Sequence, residues 1–126
     1  MSGFDIETDG AELAAAGRGL NAGSIVLIEA VRILDDCTVF LRRPESEYAR
    51  LDVYTVRREQ WVLGFSTKNR LVRVLGPCSW MALTGQDLME NMPPEANIGI
   101  DVQDDHGFFV PAALIAARSF TGTWGR

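Results

Sequence analysis

Apolar side chains first become periodic along the chain after Ser24. The positions that follow have the i, i+3, i+4, i+7 spacing of one helical stripe: Leu27, Ala30, Val31 and Leu34. A serine here can accept a hydrogen bond from a free backbone N–H of the first turn. The pattern therefore predicts a helix that begins at Ser24.

The next apolar runs have the branched and aromatic content of β-strands. These runs are Thr38–Arg42, Val53–Arg57 and Trp61–Phe65. Only Arg58-Glu59-Gln60 separates the last two. We therefore predict an antiparallel hairpin with a three-residue connection.

Capping residues then mark two further helices on either side of a strand. Ser66 or Thr67 can cap the first helix, and Gly76-Pro77 ends it, because Gly accepts a left-handed conformation and Pro forbids continuation. A strand over 78–83 follows. The run Thr84-Gly85-Gln86-Asp87 resembles a capping box for the second helix, which Pro93-Pro94 ends.

The last part of the chain predicts a hairpin and a helix. Apolar and polar residues alternate over 98–103, as in a strand with one face in the core. Residues 104–107 have turn composition, and 108–110 form the partner strand. Pro111 suits the first position of a final helix that reaches Arg118.

This order of elements predicts one α+β domain. We expect a mixed, mostly antiparallel sheet of about five to six strands packed with three to four helices over residues 24–118. Residues 1–23 are rich in Gly, Ala and acidic residues, which indicates a flexible N-terminal arm, with one short helix over 11–16 as the alternative within it. Residues 119–126 are expected to form a C-terminal tail.

Composition indicates an ordinary globular protein. Of 126 residues, 47% are apolar and 23% charged. No apolar run approaches the roughly 20 residues of a membrane span, and the first residues lack the pattern of a secretory signal. We therefore expect a cytoplasmic protein with no membrane partner, in which Cys37 and Cys78 are reduced thiols.

Charge is unevenly distributed along the chain. The net charge of −5 disfavours a nucleic-acid partner. Eight of the twelve basic residues nevertheless lie between Thr38 and Gly76, where four acidic residues oppose them. Either these charges compensate one another on a solvated surface, or an acidic partner binds the central segment.

The candidate catalytic and metal-binding residues are few. His106 is the sole histidine, and no local signature joins it to Cys37 or Cys78 as a nucleophile pair. These three residues are also too widely spaced for a typical zinc site. We therefore expect no enzyme activity, no cofactor and no metal ion.

Two sets of residues are candidates for binding. A small-ligand site is conceivable where the helix start meets the predicted acidic turn, with the candidates Ser66, Thr67, Lys68, Asp101 and His106. A protein partner could instead contact basic and aromatic side chains, with the candidates Arg57, Arg58, Arg70, Arg73 and Trp124. Trp61 and Trp80 lie in predicted strands, where core packing is expected.

Several short motifs resemble the SseB N-terminal domain family. The run from Trp61 to Leu71, WVLGFSTKNRL, is similar to that family's strand leading into a capped helix. The segments 83–89, 97–100 and 108–115 are similar to its later helix, closing strand and last helix. Here the family's Phe-Thr-Ser order is Phe-Ser-Thr, and residues 101–107 replace an Asn-Pro-Gly turn.

The resemblance covers roughly residues 24–118 and implies a small α+β module. Such modules occur in bacterial proteins linked by name to enhanced serine sensitivity or to secretion-associated genes, and the family supplies no catalytic residues. The leading hypothesis is therefore a non-enzymatic protein-interaction or regulatory module, with a homodimer as one form of partnership. The alternative is a small-ligand-binding or sensor domain.

Overall fold

The computed structural model describes residues 6–121, with side chains described for 10–118. Five helices and six strands lie within this range. In chain order they are α1 (Ile6–Ala22), α2 (Leu27–Asp36), β1 (Thr38–Arg42), β2 (Tyr54–Val56), β3 (Glu59–Gly64), α3 (Lys68–Leu75), β4 (Trp80–Thr84), α4 (Gly85–Glu90), β5 (Ala96–Ile100), β6 (Phe108–Val110) and α5 (Ala112–Thr121).

The strands form two sheets. The larger has the order β2-β3-β5-β6 and is antiparallel except for the parallel pair β3–β5; the smaller pairs β1 with β4. One bridge between Phe40 and Phe65 connects them. The predicted α+β class is confirmed, but the strands are divided between two sheets and the described residues hold one helix more than the upper expectation. The parallel pair arises because α3, β4 and α4 form the crossover between β3 and β5.

One main core lies between the helices and the inner face of the four-stranded sheet. That face contributes Val62, Ile98, Ile100 and Val110, all buried. The predicted stripe of α2 is buried in the same core through Ala30, Val31 and Leu34, and the helix contacts α1, α4 and β4. A smaller cluster around Phe40, Phe65 and Leu71 fills the junction with the second sheet.

The prediction of a flexible arm is wrong for residues 6–22, which form α1. Leu13 of this helix is fully buried in the main core. Small residues let the helix approach closely: a Cβ added to Gly17 would lie 1.7 Å from the carbonyl oxygen of His106. Weak apolar periodicity hid this helix, since its close contacts are made by backbone atoms.

The predicted hairpin has a tighter turn than expected. Val56 pairs with Glu59, so only Arg57 and Arg58 connect β2 to β3. Both have positive φ angles, 51° and 71°. This combination gives the twist of a primed two-residue turn. The prediction of a three-residue connection was wrong, because the Gly or Asn that usually marks a turn with positive φ is absent here.

The helix ends match the capping predictions in part. Thr67, rather than Ser66, caps α3 by accepting a hydrogen bond from the Arg70 amide at 3.1 Å, and Thr84 caps α4 in the same way. Gly76 ends α3 with a φ of 78°. The prediction for Ser24 was wrong: α2 begins three residues later, and the Ser24 hydroxyl donates to the carbonyl of Gly19.

At the C-terminal end, α5 extends to Thr121 and so beyond the predicted boundary at Arg118. Arg118 is buried, and its guanidinium contacts the carboxylate of Asp35 and the sulfur of Met89. These contacts attach α5 to α2 and α4. Trp124 of the predicted tail lies outside the described residues.

Replacement of Gly17 by Ala should destabilise the fold, although Ala favours helix formation by about 1 kcal/mol. The added methyl would lie 1.7 Å from a backbone oxygen that cannot move aside, so we expect a net loss of about 1–3 kcal/mol in urea unfolding. Gly19→Ala is the matched control, because its new contacts at 3.2 Å and 3.3 Å are with side chains. Equal stability of the two variants would contradict the docking of α1.

Asp35 should make stability depend on pH. Burial raises the pKa of this carboxyl above 3.8, and the Arg118 guanidinium offsets only part of the effect. The folded state therefore binds the proton more tightly, so stability is lost as the pH rises from about 4 through the raised pKa. Denaturation midpoints across this range should fall for the wild type relative to Asp35→Asn. A constant difference would exclude this role.

Candidate functional site

A polar cluster of Ser66, Asp101 and His106 lies where β3 and β5 end. Asp101 Oδ1 accepts from the Ser66 amide at 2.9 Å, and Oδ2 accepts from the Ser66 hydroxyl at 2.5 Å. His106 Nε2 lies 2.8 Å from the same Oδ2. All three residues are at least 96% buried. The sequence thus brings together three of the five predicted ligand-binding residues, although Ser66 and Asp101 are 35 positions apart.

The backbone holds the Asp101 carboxylate in place. As β5 ends, the Asp101 amide donates to the carbonyl of Gly64, and its φ of 48° turns the chain away from the strand. The Asp104 amide donates back to the carbonyl of Asp101 at 2.9 Å. Gly107 completes the turn, since a Cβ there would lie 2.4 Å from that same carbonyl oxygen.

The residue types of the cluster are those of a serine hydrolase, but the order of contacts is different. In a catalytic triad, the histidine lies between serine and aspartate and takes the serine proton. Here Asp101 lies between Ser66 and His106, and the Ser66 hydroxyl donates to the carboxylate. Arg70 Nη1 also donates to the Ser66 oxygen, at 2.9 Å. The Ser66 proton is therefore held by a carboxylate and not by the imidazole, which departs from the arrangement of a triad.

A ring of charged groups surrounds the cluster. Asp104 forms ion pairs with Arg73 at 2.7 Å and with Arg70 at 3.5 Å. Ligand atoms of Asp101, Asp104 and His106 all lie within 4.8 Å of one another, which is close enough to hold a metal ion. Arg70 and Arg73 neutralise the Asp104 carboxylate, whose buried Oδ2 accepts no hydrogen bond within the described residues. The Asp101 carboxylate instead accepts hydrogen bonds from Ser66, which a metal ion bound there would have to displace.

Helix α1 covers the cluster. The side-chain amide of Asn21 donates to the carbonyls of Asp105 and Gly107, at 3.0 Å and 3.3 Å. Gly10 lies against the backbone of Ser66, and Gly17 against that of His106. The helix that was expected to be a loose arm therefore encloses the predicted ligand site.

The other two predicted ligand-binding residues have structural roles. Thr67 caps α3, as described above. Lys68 Nζ lies 4.5 Å from the ring centroid of Trp80, a cation–π contact. Trp80 is 40% exposed, so its expected place in the core was wrong. Its ring packs edge-on against Phe40 and under Lys68, at the margin of the smaller core cluster.

Three of the eight central basic residues form ion pairs within the part of the chain that the structure describes, and a fourth donates a hydrogen bond to an amide. Arg70 and Arg73 contact Asp104, Arg42 contacts Glu45, and Arg50 donates to Asn91. Arg57 and Arg58 differ, because both are exposed at the β2–β3 turn and neither forms an ion pair within residues 6–121. The predicted partner-binding set is therefore divided: the structure separates Arg57 and Arg58 from Arg70 and Arg73.

A second candidate site is an apolar surface on the outer face of the four-stranded sheet. We define the outer face by Tyr54, Val56, Trp61, Leu63, Val102 and Phe109. Cross-strand pairs place these side chains next to one another, as in Tyr54 opposite Trp61. Phe109 is 55% exposed and Val56 53%, and the rings of Trp61 and Phe109 meet edge to face at 5.2 Å.

The outer face is slightly concave. Its side chains, with Arg57 and Glu59 at one end, line a depression of about 500 Å³. Gly99 forms part of the floor, where a Cβ would lie 2.6 Å from Val102 and 3.3 Å from Leu63. Burial raises the pKa of Tyr54, and the neighbouring Asp52 carboxylate raises it further, so this phenol stays neutral at physiological pH.

The apolar outer face is not evident from the sequence. Strand β3 is apolar on both sides, with Val62 facing the core and Trp61 and Leu63 facing outward. Such a strand looks the same in sequence as one buried on both faces. In β6, by contrast, Phe108 and Val110 are buried and Phe109 between them is exposed, and this alternation of burial distinguishes the inner from the outer face of the sheet.

No protein-family model matches this chain, and no curated protein or solved structure matches it. Among the helices of the described residues, none has the length and apolar character needed to cross a membrane.

Asp101→Asn should destabilise the protein by about 2 kcal/mol in urea unfolding. Asn keeps the shape and tolerates positive φ, but it removes the charge that accepts hydrogen bonds from Ser66 and His106. Glu47→Gln is the matched control, since that side chain is exposed in the loop between β1 and β2, forms no ion pair within the described residues and should change stability little. A similar small effect at both positions would exclude a structural role for the cluster.

Proposed function

We propose that this protein is a non-enzymatic interaction module that binds a protein partner through the outer face of its four-stranded sheet. The observation that carries the proposal is the exposure of large apolar side chains there, above all Phe109 at 55% and Val56 at 53%. Contiguous apolar patches of this kind mark interaction surfaces when polar residues surround them. The polar rim here is Arg57 and Glu59.

The composition of the outer face supports a protein partner. Aromatic residues and arginine are enriched in the cores of protein interfaces, because they bury large areas at low entropic cost. Tyr54, Trp61 and Phe109 supply the aromatic side chains, and Arg57 supplies the guanidinium. The edge-to-face contact of Trp61 with Phe109 holds both rings in place before a partner binds.

The polar cluster supports a non-enzymatic role. Its carboxylate, hydroxyl and imidazole are buried and hydrogen-bonded to one another, so they are committed to the fold. An SseB-like family membership and a cytoplasmic location belong to the same proposal. They rest on the sequence motifs and the composition alone.

A small-ligand-binding or sensor domain is the second candidate. The depression of about 500 Å³ on the outer face favours it, because pockets for small molecules commonly have about 300–1,000 Å³ and mostly apolar linings. A thermal-shift screen separates the two functions. A ligand present at a hundred times its dissociation constant should stabilise the protein by about 2.7 kcal/mol.

Phe109→Ser and Val56→Ser should each weaken partner binding at least about tenfold, since each removes an apolar anchor from the outer face. The tagged chain is used to co-purify a partner from its native host, and the purified partner is then titrated calorimetrically against each variant. Tyr48→Ser is the matched control: this aromatic residue is 90% exposed and lies in the loop between β1 and β2.

The variants must first be shown to fold, by circular dichroism and urea unfolding. Unchanged binding by Phe109→Ser and Val56→Ser would contradict the proposed surface. Equal weakening by Tyr48→Ser would do the same, because the effect would then not depend on the outer face.

A further inference from the structure

We propose that the outer face binds a second copy of this chain, so that the two sheets pack face to face about a two-fold axis. This inference rests on the proposed function, because it names the partner of the same surface. The observation that supports it is the pair of opposite charges, Arg57 and Glu59, at one end of the apolar patch.

A two-fold interface requires that a surface carry its own complement, since the same patch is used by both copies. A patch with charges of one sign would repel its copy. The depression on the outer face is lined by one cation and one anion, Arg57 and Glu59. Both are exposed, and neither forms an ion pair within residues 6–121. Both charges are therefore available to a copy of the same surface.

The hairpin places these charges on either side of one apolar residue. Val56 pairs directly with Glu59, and Arg57 follows Val56 in the turn. A two-fold axis beside Val56 brings the two valines together. The same axis sets Arg57 opposite the partner's Glu59 and Glu59 opposite the partner's Arg57. One geometry thus buries the exposed apolar side chain and forms two ion pairs.

The aromatic side chains extend this contact along the sheet. Tyr54 and Trp61 are cross-strand partners next to Val56 and Glu59, and Phe109 packs against Trp61. The result is an apolar centre with a charged rim, the arrangement typical of homodimer interfaces. Leu63 at the far end of the outer face packs against the smaller core cluster, whereas Val56 and Phe109 are exposed and available to a copy of the same surface.

Exchange of the two charges tests the dimer. Arg57→Glu gives two acidic residues on each face, and Glu59→Arg gives two basic ones, so each variant alone should raise the dimer dissociation constant at least about tenfold. An equimolar mixture of the two variants should form a heterodimer, because each face then meets its opposite charge. Sedimentation equilibrium over a wide concentration range and native mass spectrometry measure both results.

Arg58→Glu is the matched control. It makes the same change in the same turn, but Arg58 lines a different depression beside α5. We expect this variant to dimerise like the wild type. A wild-type chain that stays monomeric at all concentrations would overturn the inference. So would failure of the mixed variants to associate, or an equal loss of dimer in Arg58→Glu.

This result is separable from the proposed function. If the wild type is monomeric while Phe109→Ser still loses a partner from the host, the outer face binds a different protein and only the homodimer is excluded. If Phe109→Ser and Val56→Ser affect neither a host partner nor dimer formation, both proposals fail.

Discussion

The buried carboxylate of Asp101 is the constraint on which this structure depends. A carboxylate removed from water must be compensated by hydrogen bonds or opposite charge, or the folded state loses several kcal/mol. Ser66 and His106 supply this compensation, and each comes from a different segment of the chain. Satisfying one charge therefore fixes the end of β3, the start of α3 and the turn between β5 and β6. Helix α1 can then pack closely over the backbone of that turn.

The same constraint determines which parts of the protein are available for binding. The side chains that could act in catalysis or ligand binding lie together in the polar cluster. There Ser66 and His106 are both hydrogen-bonded to Asp101. Two arginines of the central basic segment, Arg70 and Arg73, are held there by Asp104. What the sheet presents to solvent is instead apolar and aromatic. The protein thus places a small buried polar cluster beside its apolar core and leaves apolar side chains, Val56 and Phe109, exposed on the sheet.

Local rules predicted much of this fold. The apolar stripe of α2, the caps at Thr67 and Thr84 and the alternating strands follow from side-chain spacing and backbone hydrogen bonding, which act within a few residues. Two features escaped prediction. The docking of α1 depends on the absence of side chains at Gly17 and similar positions, which a pattern of apolar residues does not show. The turn at Arg57 adopts positive φ without its usual residues. The meeting of the Ser66 and Asp101 segments was expected, but their direct hydrogen bonds depend on the parallel register of β3 and β5, which spacing along the chain does not specify.

The outer face shows why the candidate site was harder to predict than the fold. In β3, Val62 faces the core and Trp61 faces the opposite side of the sheet. An apolar sequence of this kind is the same for a central strand between two layers and for a strand covered on one side only. Helices α1 and α5 contact strands β6 and β5 of the four-stranded sheet, whereas on the outer face Leu63 packs against the smaller core cluster around Phe40, Phe65 and Leu71. The part of the outer face that remains uncovered retains an unsatisfied hydrophobic driving force, at roughly 25 cal/mol per Å² of apolar surface. Phe109 and Val56 remain more than half exposed to water in the isolated chain, and Trp61 is partly exposed beside them, so the uncovered apolar area is concentrated on these strands.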